Sequence, residues 1–245
     1  MTASNLVAVS EPLPAFEEDT ATEARPLPVT SEVLSDNTVA SEQLRLLASR
    51  VRAQSRERRL RTIGVVSATP GEGKTTVAIG LARALALGGR ERVLLVEVDL
   101  RRPMLDKRLG LPPCPTGVLK HLEGGMGTLV IRKLADSAGC WVLSAGAGTF
   151  RHPELLASPR MATMLEAATR SFDYVVLDCP PLMTVADAVL LQDHIDGFVF
   201  VVRARHAPRE AVQRAASVLK PGAVLGTVLN GQREIVRSYY YPDYR

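Results

Sequence analysis

The feature that most constrains this chain is an eight-residue run, Ala68-Thr69-Pro70-Gly71-Glu72-Gly73-Lys74-Thr75, with the form A-x-x-x-x-G-K-T. It follows a short apolar run, Thr62-Ile63-Gly64-Val65-Val66-Ser67, and precedes a stretch with helical character from about Thr75 to Leu87 that Gly88-Gly89 ends. A strand, a glycine-rich loop and a helix in that order form the setting in which such a run binds phosphate. Gly71 and Gly73 let backbone N–H groups turn inward, and the helix N-terminus adds partial positive charge. Lys74 brings a full charge to the β- and γ-phosphates, and the Thr75 hydroxyl is placed to ligate Mg²⁺. Only five of the thirty basic residues are lysines, so a lysine here is not a product of composition. Pro70 through Thr76 is the expected nucleotide-binding segment, with ATP and Mg²⁺ as its ligands.

The rest of the chain has the pattern this loop requires. Further apolar runs at 93–98, 141–144, 174–177, 198–202 and 223–229 read as buried strands, most of them separated by helical segments. Strands alternating with helices give crossover connections and a mainly parallel sheet with helices on both faces. The expected class is α/β, with one phosphate-binding domain at 40–232 and an arm at each end. Residues 1–39, acidic and proline-containing, read as a disordered arm, and 233–245 as a flexible tail. A helix is expected to start near Ser41 as its cap, with Leu44, Leu47 and Val51 on one face.

Two other strands carry acids at their carboxyl ends, where ligands sit in open α/β sheets. Asp178, after Tyr174-Val175-Val176-Leu177, has the Walker B pattern and is expected to hold Mg²⁺ directly or through water. Glu97 and Asp99 form a second pair; strand alternation would put them on one side, able to ligate metal and accept a proton from an incoming hydroxyl.

Composition narrows the alternatives. No apolar stretch reaches the roughly 18–20 residues needed to cross a bilayer, no secretory signal is visible, and Cys114, Cys140 and Cys179 form no disulfide framework or zinc pattern. A cytoplasmic protein is expected. The net charge of +4 is unevenly spread: residues 45–61 hold seven arginines against Glu57. That segment reads either as a solvated helix face or as a contact surface for a partner or membrane. Without aromatic residues interleaved among the basic ones, a nucleic-acid surface is not expected.

Taken together, these motifs resemble the bacterial tyrosine autokinases of the polysaccharide-export type over roughly residues 41–245. Ser67–Thr76 looks like that family's Walker A. Val96-Glu97-Val98-Asp99-Leu100-Arg101-Arg102-Pro103 looks like its Walker A′, and Asp173–Pro181 like its Walker B. His152-Pro153-Glu154-Leu155-Leu156-Ala157-Ser158 matches the second half of the family's N-P-x-E-L-L-x-S segment. Val224–Gly231 matches its late strand, in which Asn230 is placed to contact the nucleotide base. Four of the five tyrosines, Tyr239, Tyr240, Tyr241 and Tyr244, lie in the last seven residues. The resemblance makes them phosphoacceptors for a neighbouring subunit.

The resemblance implies that Lys74 and Thr75 bind phosphates and Mg²⁺, that Asp99 and Asp178 hold the metal, and that residue 97 accepts the tyrosine proton. Glutamate at 97 departs from the family's usual aspartate, and Ala48 departs from its E-x-x-R-x-x-R oligomer motif. The implied protein is the stand-alone form: a homo-oligomer recruited to the inner face of the cell membrane by a polysaccharide co-polymerase that activates it. Two other readings stay open. One is a partition- or positioning-type ATPase switch, which usually carries a second lysine where this chain has Thr69. The other is a weakly catalytic ATP-dependent scaffold.

Overall fold

The computed structural model describes residues 13–22 and 38–232, apart from positions 88, 125, 126, 136, 138, 149, 150, 152, 185 and 186. The apolar runs form six strands of one sheet, most of them interior. They are β2 (Thr62–Ser67), β3 (Val93–Glu97), β5 (Cys140–Leu143), β6 (Tyr174–Asp178), β7 (Gly197–Arg203) and β8 (Val224–Asn230). Every residue of β2, β3 and β6 is buried. Two further strands, β1 (Ala15–Glu18) and β4 (Thr128–Lys133), complete a sheet ordered β1-β4-β5-β3-β6-β2-β7-β8. All neighbours pair parallel except β4 and β5, which are antiparallel.

Helices cover both faces, and a separate apolar core lies on each. On one face α1 (Val39–Arg58) lies outside α2 (Lys74–Ala86), which packs on β2, β3 and β6. That position explains the composition of α2: Val77 through Leu85 are buried almost without interruption, apart from half-exposed Arg83. On the other face α5 (Pro159–Ser171) turns Met161, Met164, Leu165 and Ala168 inward, the i, i+3, i+4, i+7 stripe of an amphipathic helix. Short helices α3 (Leu105–Arg108), α4 (Val118–Leu122) and α6 (Asp187–Leu190) follow β3, precede β4 and follow β6, and α7 (Arg209–Ser217) joins β7 to β8.

Two expectations need correction. The cap of α1 is Thr38, whose hydroxyl accepts the Ser41 N–H at 3.1 Å; Ser41 lies within the first turn. The segment expected to be a disordered arm also contributes β1, whose residues pair with Thr128–Ile131 of β4. The partly buried Phe16 anchors it, meeting Phe172 edge-on at 5.7 Å. One aromatic residue on a four-residue strand is too short a signal to read against an acidic background.

Candidate nucleotide and phosphoryl-transfer site

Strand order brings the motifs together. The loop after β2 emerges between β6 and β7, and β3 lies just beyond β6, so Asp178 and the β3 exit flank the Lys74 loop. Gly73 caps α2 with φ 97°, a left-handed conformation that disfavours side chains. A Cβ there would also lie 2.1 Å from Asn230 Nδ2. Lys74 and Thr75 thus begin α2 directly, and Lys74 is 8% exposed.

The loop is tied down from inside. Glu72, fully buried, accepts the Thr69 N–H at 2.6 Å and the Thr69 hydroxyl at 2.9 Å with one carboxylate oxygen. The other oxygen accepts the Arg203 N–H at 3.1 Å. The Glu72 side chain is therefore an internal brace, and its share in phosphate binding falls to its backbone. The end of the sheet braces the loop from outside. Arg203 Nη1 donates to the Gly71 carbonyl at 3.1 Å, His206 Nε2 meets the Pro70 carbonyl at 2.8 Å, and Asn230 Nδ2 donates to the Glu72 carbonyl at 2.8 Å. Asn230, expected at the nucleotide base, here contacts the loop. The sequence reading missed Arg203 and His206; their position just past the end of an apolar strand, facing the loop of a neighbouring strand, was the available signal.

The acids form a buried group around Lys74. Asp178 is 1% exposed and its Oδ1 is buried without a hydrogen-bond partner among the described residues. Burial raises its pKa to about 6, against the attraction of Lys74 and a hydrogen bond from Thr75. Burial also raises the Asp99 pKa, again against the attraction of Lys74. An orphaned buried carboxylate oxygen next to the Thr75 hydroxyl fits a hard divalent cation, which takes oxygen ligands and keeps several waters. No group of three or more His, Cys, Asp or Glu positioned to hold a metal ion exists among the described residues; a Mg·nucleotide site with two carboxylates and a hydroxyl needs none.

Glu97 differs from its expected placement. β3 ends at Glu97, opposite Asp178, and the N–H groups of Val98 and Asp99 both turn to the Asp178 carbonyl. Strand alternation therefore does not reach Asp99. The Glu97 carboxylate is 1% exposed and accepts the N–H groups of Met104, Leu105 and Ala145. Burial raises its pKa to about 7, with those N–H groups opposing and the charge of Asp178 adding to the rise. Beyond it, Arg101 pairs with buried Asp187 at 2.6 Å, tying the β3 exit to α6. His152 and the tyrosines at 239, 240, 241 and 244 lie outside the described residues.

A glycine-rich strand-to-helix loop with its lysine and threonine, flanked by two acidic strand ends on a mainly parallel sheet, defines a P-loop nucleotide-binding protein. Residues 63–238 match the family model described as the CobQ/CobB/MinD/ParA nucleotide binding domain. Tyrosine-protein kinase YwqD of Bacillus subtilis is 32% identical over 208 residues, covering 82% of this chain and 84% of that protein. Succinoglycan biosynthesis transport protein ExoP of Rhizobium meliloti is 37% identical over 176 residues, covering 69% of this chain and 22% of that protein. Among solved structures, the kinase domain of Escherichia coli tyrosine kinase ETK superposes with a TM-score of 0.75 at 26% identity, covering 91% of this chain and 87% of that one. The chain belongs to the bacterial tyrosine-protein kinases, within the CobQ/CobB/MinD/ParA nucleotide-binding family.

Proposed function

We propose that this chain transfers the γ-phosphoryl group of Mg·ATP to tyrosines in the C-terminal tail of a neighbouring copy, and so regulates exopolysaccharide synthesis or export. The observation that carries the reading is the convergence of Lys74, Thr75, Asp99 and Asp178 on one strand-end site with an orphaned Asp178 oxygen. The backbone N–H groups of residues 71–76 enclose the phosphates, and Lys74 holds charge at the β- and γ-oxygens. Thr75, Asp99 and Asp178 would hold Mg²⁺, which supplies charge neutralisation at those oxygens. The tyrosine oxygen then bonds to the γ-phosphorus, the bond to the bridging oxygen breaks, ADP leaves and the hydroxyl proton is released.

Thr69 favours this reading over a positioning switch. It stands where such a switch usually carries its second lysine, and both its N–H and its hydroxyl are bound to Glu72. The ExoP match suggests the partner: a transport protein of polysaccharide biosynthesis carries a segment like this chain within a much longer one. A membrane polysaccharide co-polymerase that docks the kinase at the inner membrane face fits that pattern. No described helix is long and apolar enough to cross a membrane.

The test is mixing. Full-length Lys74→Met chain, unable to grip ATP, is incubated with wild type, Mg·ATP and the co-polymerase's cytosolic segment. The proposal expects phosphotyrosine on the Lys74→Met tail. Phosphate confined to wild-type molecules would defeat transfer between copies.

A further inference from the structure

The kinase reading assigns the tyrosine proton to the first acid of Walker A′; the geometry around Glu97 argues otherwise. Both oxygens of this carboxylate are committed to backbone. Oε1 takes the N–H groups of Met104 and, at 2.6 Å, Leu105, the residues where α3 begins. Oε2 takes the Ala145 N–H at 3.2 Å, just past the end of β5. Three N–H groups fill three of the roughly four acceptor sites of this carboxylate, and at 1% exposure an incoming hydroxyl has no open path to the fourth.

The same turn is held a second time. Asp106 in α3 accepts from Arg132 Nη2 of β4 at 2.7 Å and from the Ser144 hydroxyl, and Arg132 also donates to the Pro112 carbonyl at 2.9 Å. The Arg132 side chain is 3% exposed. Ser144 and Ala145 are adjacent, so the β5 exit braces the start of α3 twice, once through Glu97 and once through Asp106. The segment between β3 and α3 carries Asp99, whose N–H is held by the Asp178 carbonyl at 3.1 Å and whose carboxylate accepts the Arg102 N–H at 3.3 Å.

Resting on that kinase reading, we infer that Glu97 is a positioning residue that fixes the turn bearing Asp99 and does not take the tyrosine proton. Phosphoryl transfer through a loose transition state depends mainly on positioning and charge and asks little of a base. Reach therefore matters more than charge at position 97. Glutamine has the same length, and its carbonyl oxygen still accepts from Met104 and Leu105, while its NH2 group replaces the acceptor of the Ala145 N–H and sets one donor against another. Aspartate keeps the charge but is shorter by one carbon–carbon bond, roughly 1.5 Å, so it cannot span to both sides of the turn.

The experiment compares wild type, Glu97→Gln, Glu97→Asp and Arg132→Lys as full chains, each checked for cooperative thermal unfolding. Tyrosine phosphorylation rates across pH and Mg·ATP dissociation constants are measured for all four. Positioning predicts that Glu97→Gln stays within about threefold of wild type in kcat with an unchanged acidic limb. Glu97→Asp should lose about tenfold and bind Mg·ATP more weakly, and Arg132→Lys, which removes no base, should follow it. The reverse order overturns the inference: Glu97→Asp active and Glu97→Gln down by about 10²–10⁴, the range for a lost general base. If wild type makes no phosphotyrosine, the kinase reading fails by itself, and the dissociation constants still decide Glu97. Equal Mg·ATP affinity in the Gln and Asp variants would then refute the positioning role.

Discussion

At the residue scale, Glu72 and Asp178 make opposite contributions. Glu72 satisfies three donors of the loop and the β7 exit from a fully buried position. Glu72→Ala strands those donors, at about 1–3 kcal/mol for each group left buried and unpaired. The expected outcome is a lower unfolding midpoint in urea together with an ATP KM raised at least several-fold, since the loop loses its brace. Asp178 is held buried at a cost in stability. Its folded pKa of about 6 lies above the ordinary 3.8, so the folded chain binds a proton that the unfolded chain has released in that window. Stability from this group falls as pH rises from about 4 to 6 and stays low above that. Asp178→Asn should therefore raise the melting temperature of the nucleotide-free protein at pH 7.5, with the gain shrinking toward pH 4, while abolishing phosphorylation. Melting curves at the two pH values check the sign. The sequence made Asp178 legible because an acid at the end of an apolar run has few other uses. It did not make the task of Glu97 legible, because the partners of Glu97 are three backbone N–H groups that no side-chain pattern announces.

Among the elements, legibility followed the continuity of the apolar sequence. The strands β2, β3, β5, β6 and β7 lie inside the sheet, and each appears in the sequence as a continuous apolar run, displaced by at most a residue or two; β8 reads the same way although it is an edge strand with no buried residue. β1, at one edge, and β4, beside it, were missed. β4 carries Arg132, whose charge breaks the run and is met by Asp106, Ser144 and Pro112 from elsewhere in the fold. β1 has one partly buried anchor, Phe16, against otherwise exposed residues. Phe16→Ala should cost about 1–2 kcal/mol by urea unfolding, less than the 3–5 of a fully buried phenylalanine. Mg·ATP affinity should not change, because β4, β5, β3 and β6 separate β1 from the strand that feeds the loop. A large loss of affinity would mean that the edge strand communicates with the site.

For the whole molecule, the sheet order turns scattered motifs into one site. The Walker A loop, Asp178 and the β3 exit come from three regions of the chain, and the order β3-β6-β2 makes them neighbours. The basic segment at 45–61 is partly structural at this scale. Arg52 pairs with Glu91 at 3.1 Å and donates to the carbonyls of Ala84 and Leu85 at the end of α2, while Arg56, Arg58 and Arg59 remain exposed. The most direct measurement of the central claim follows the γ-phosphate itself. Full-length protein is incubated with γ-labelled ATP, Mg²⁺ and the co-polymerase's cytosolic segment, and label on tyrosine is compared with label released as inorganic phosphate. The account predicts label on Tyr239, Tyr240, Tyr241 or Tyr244 by mass spectrometry, absent in Lys74→Met. Label appearing only as inorganic phosphate, with all four tyrosines unmodified, would contradict it.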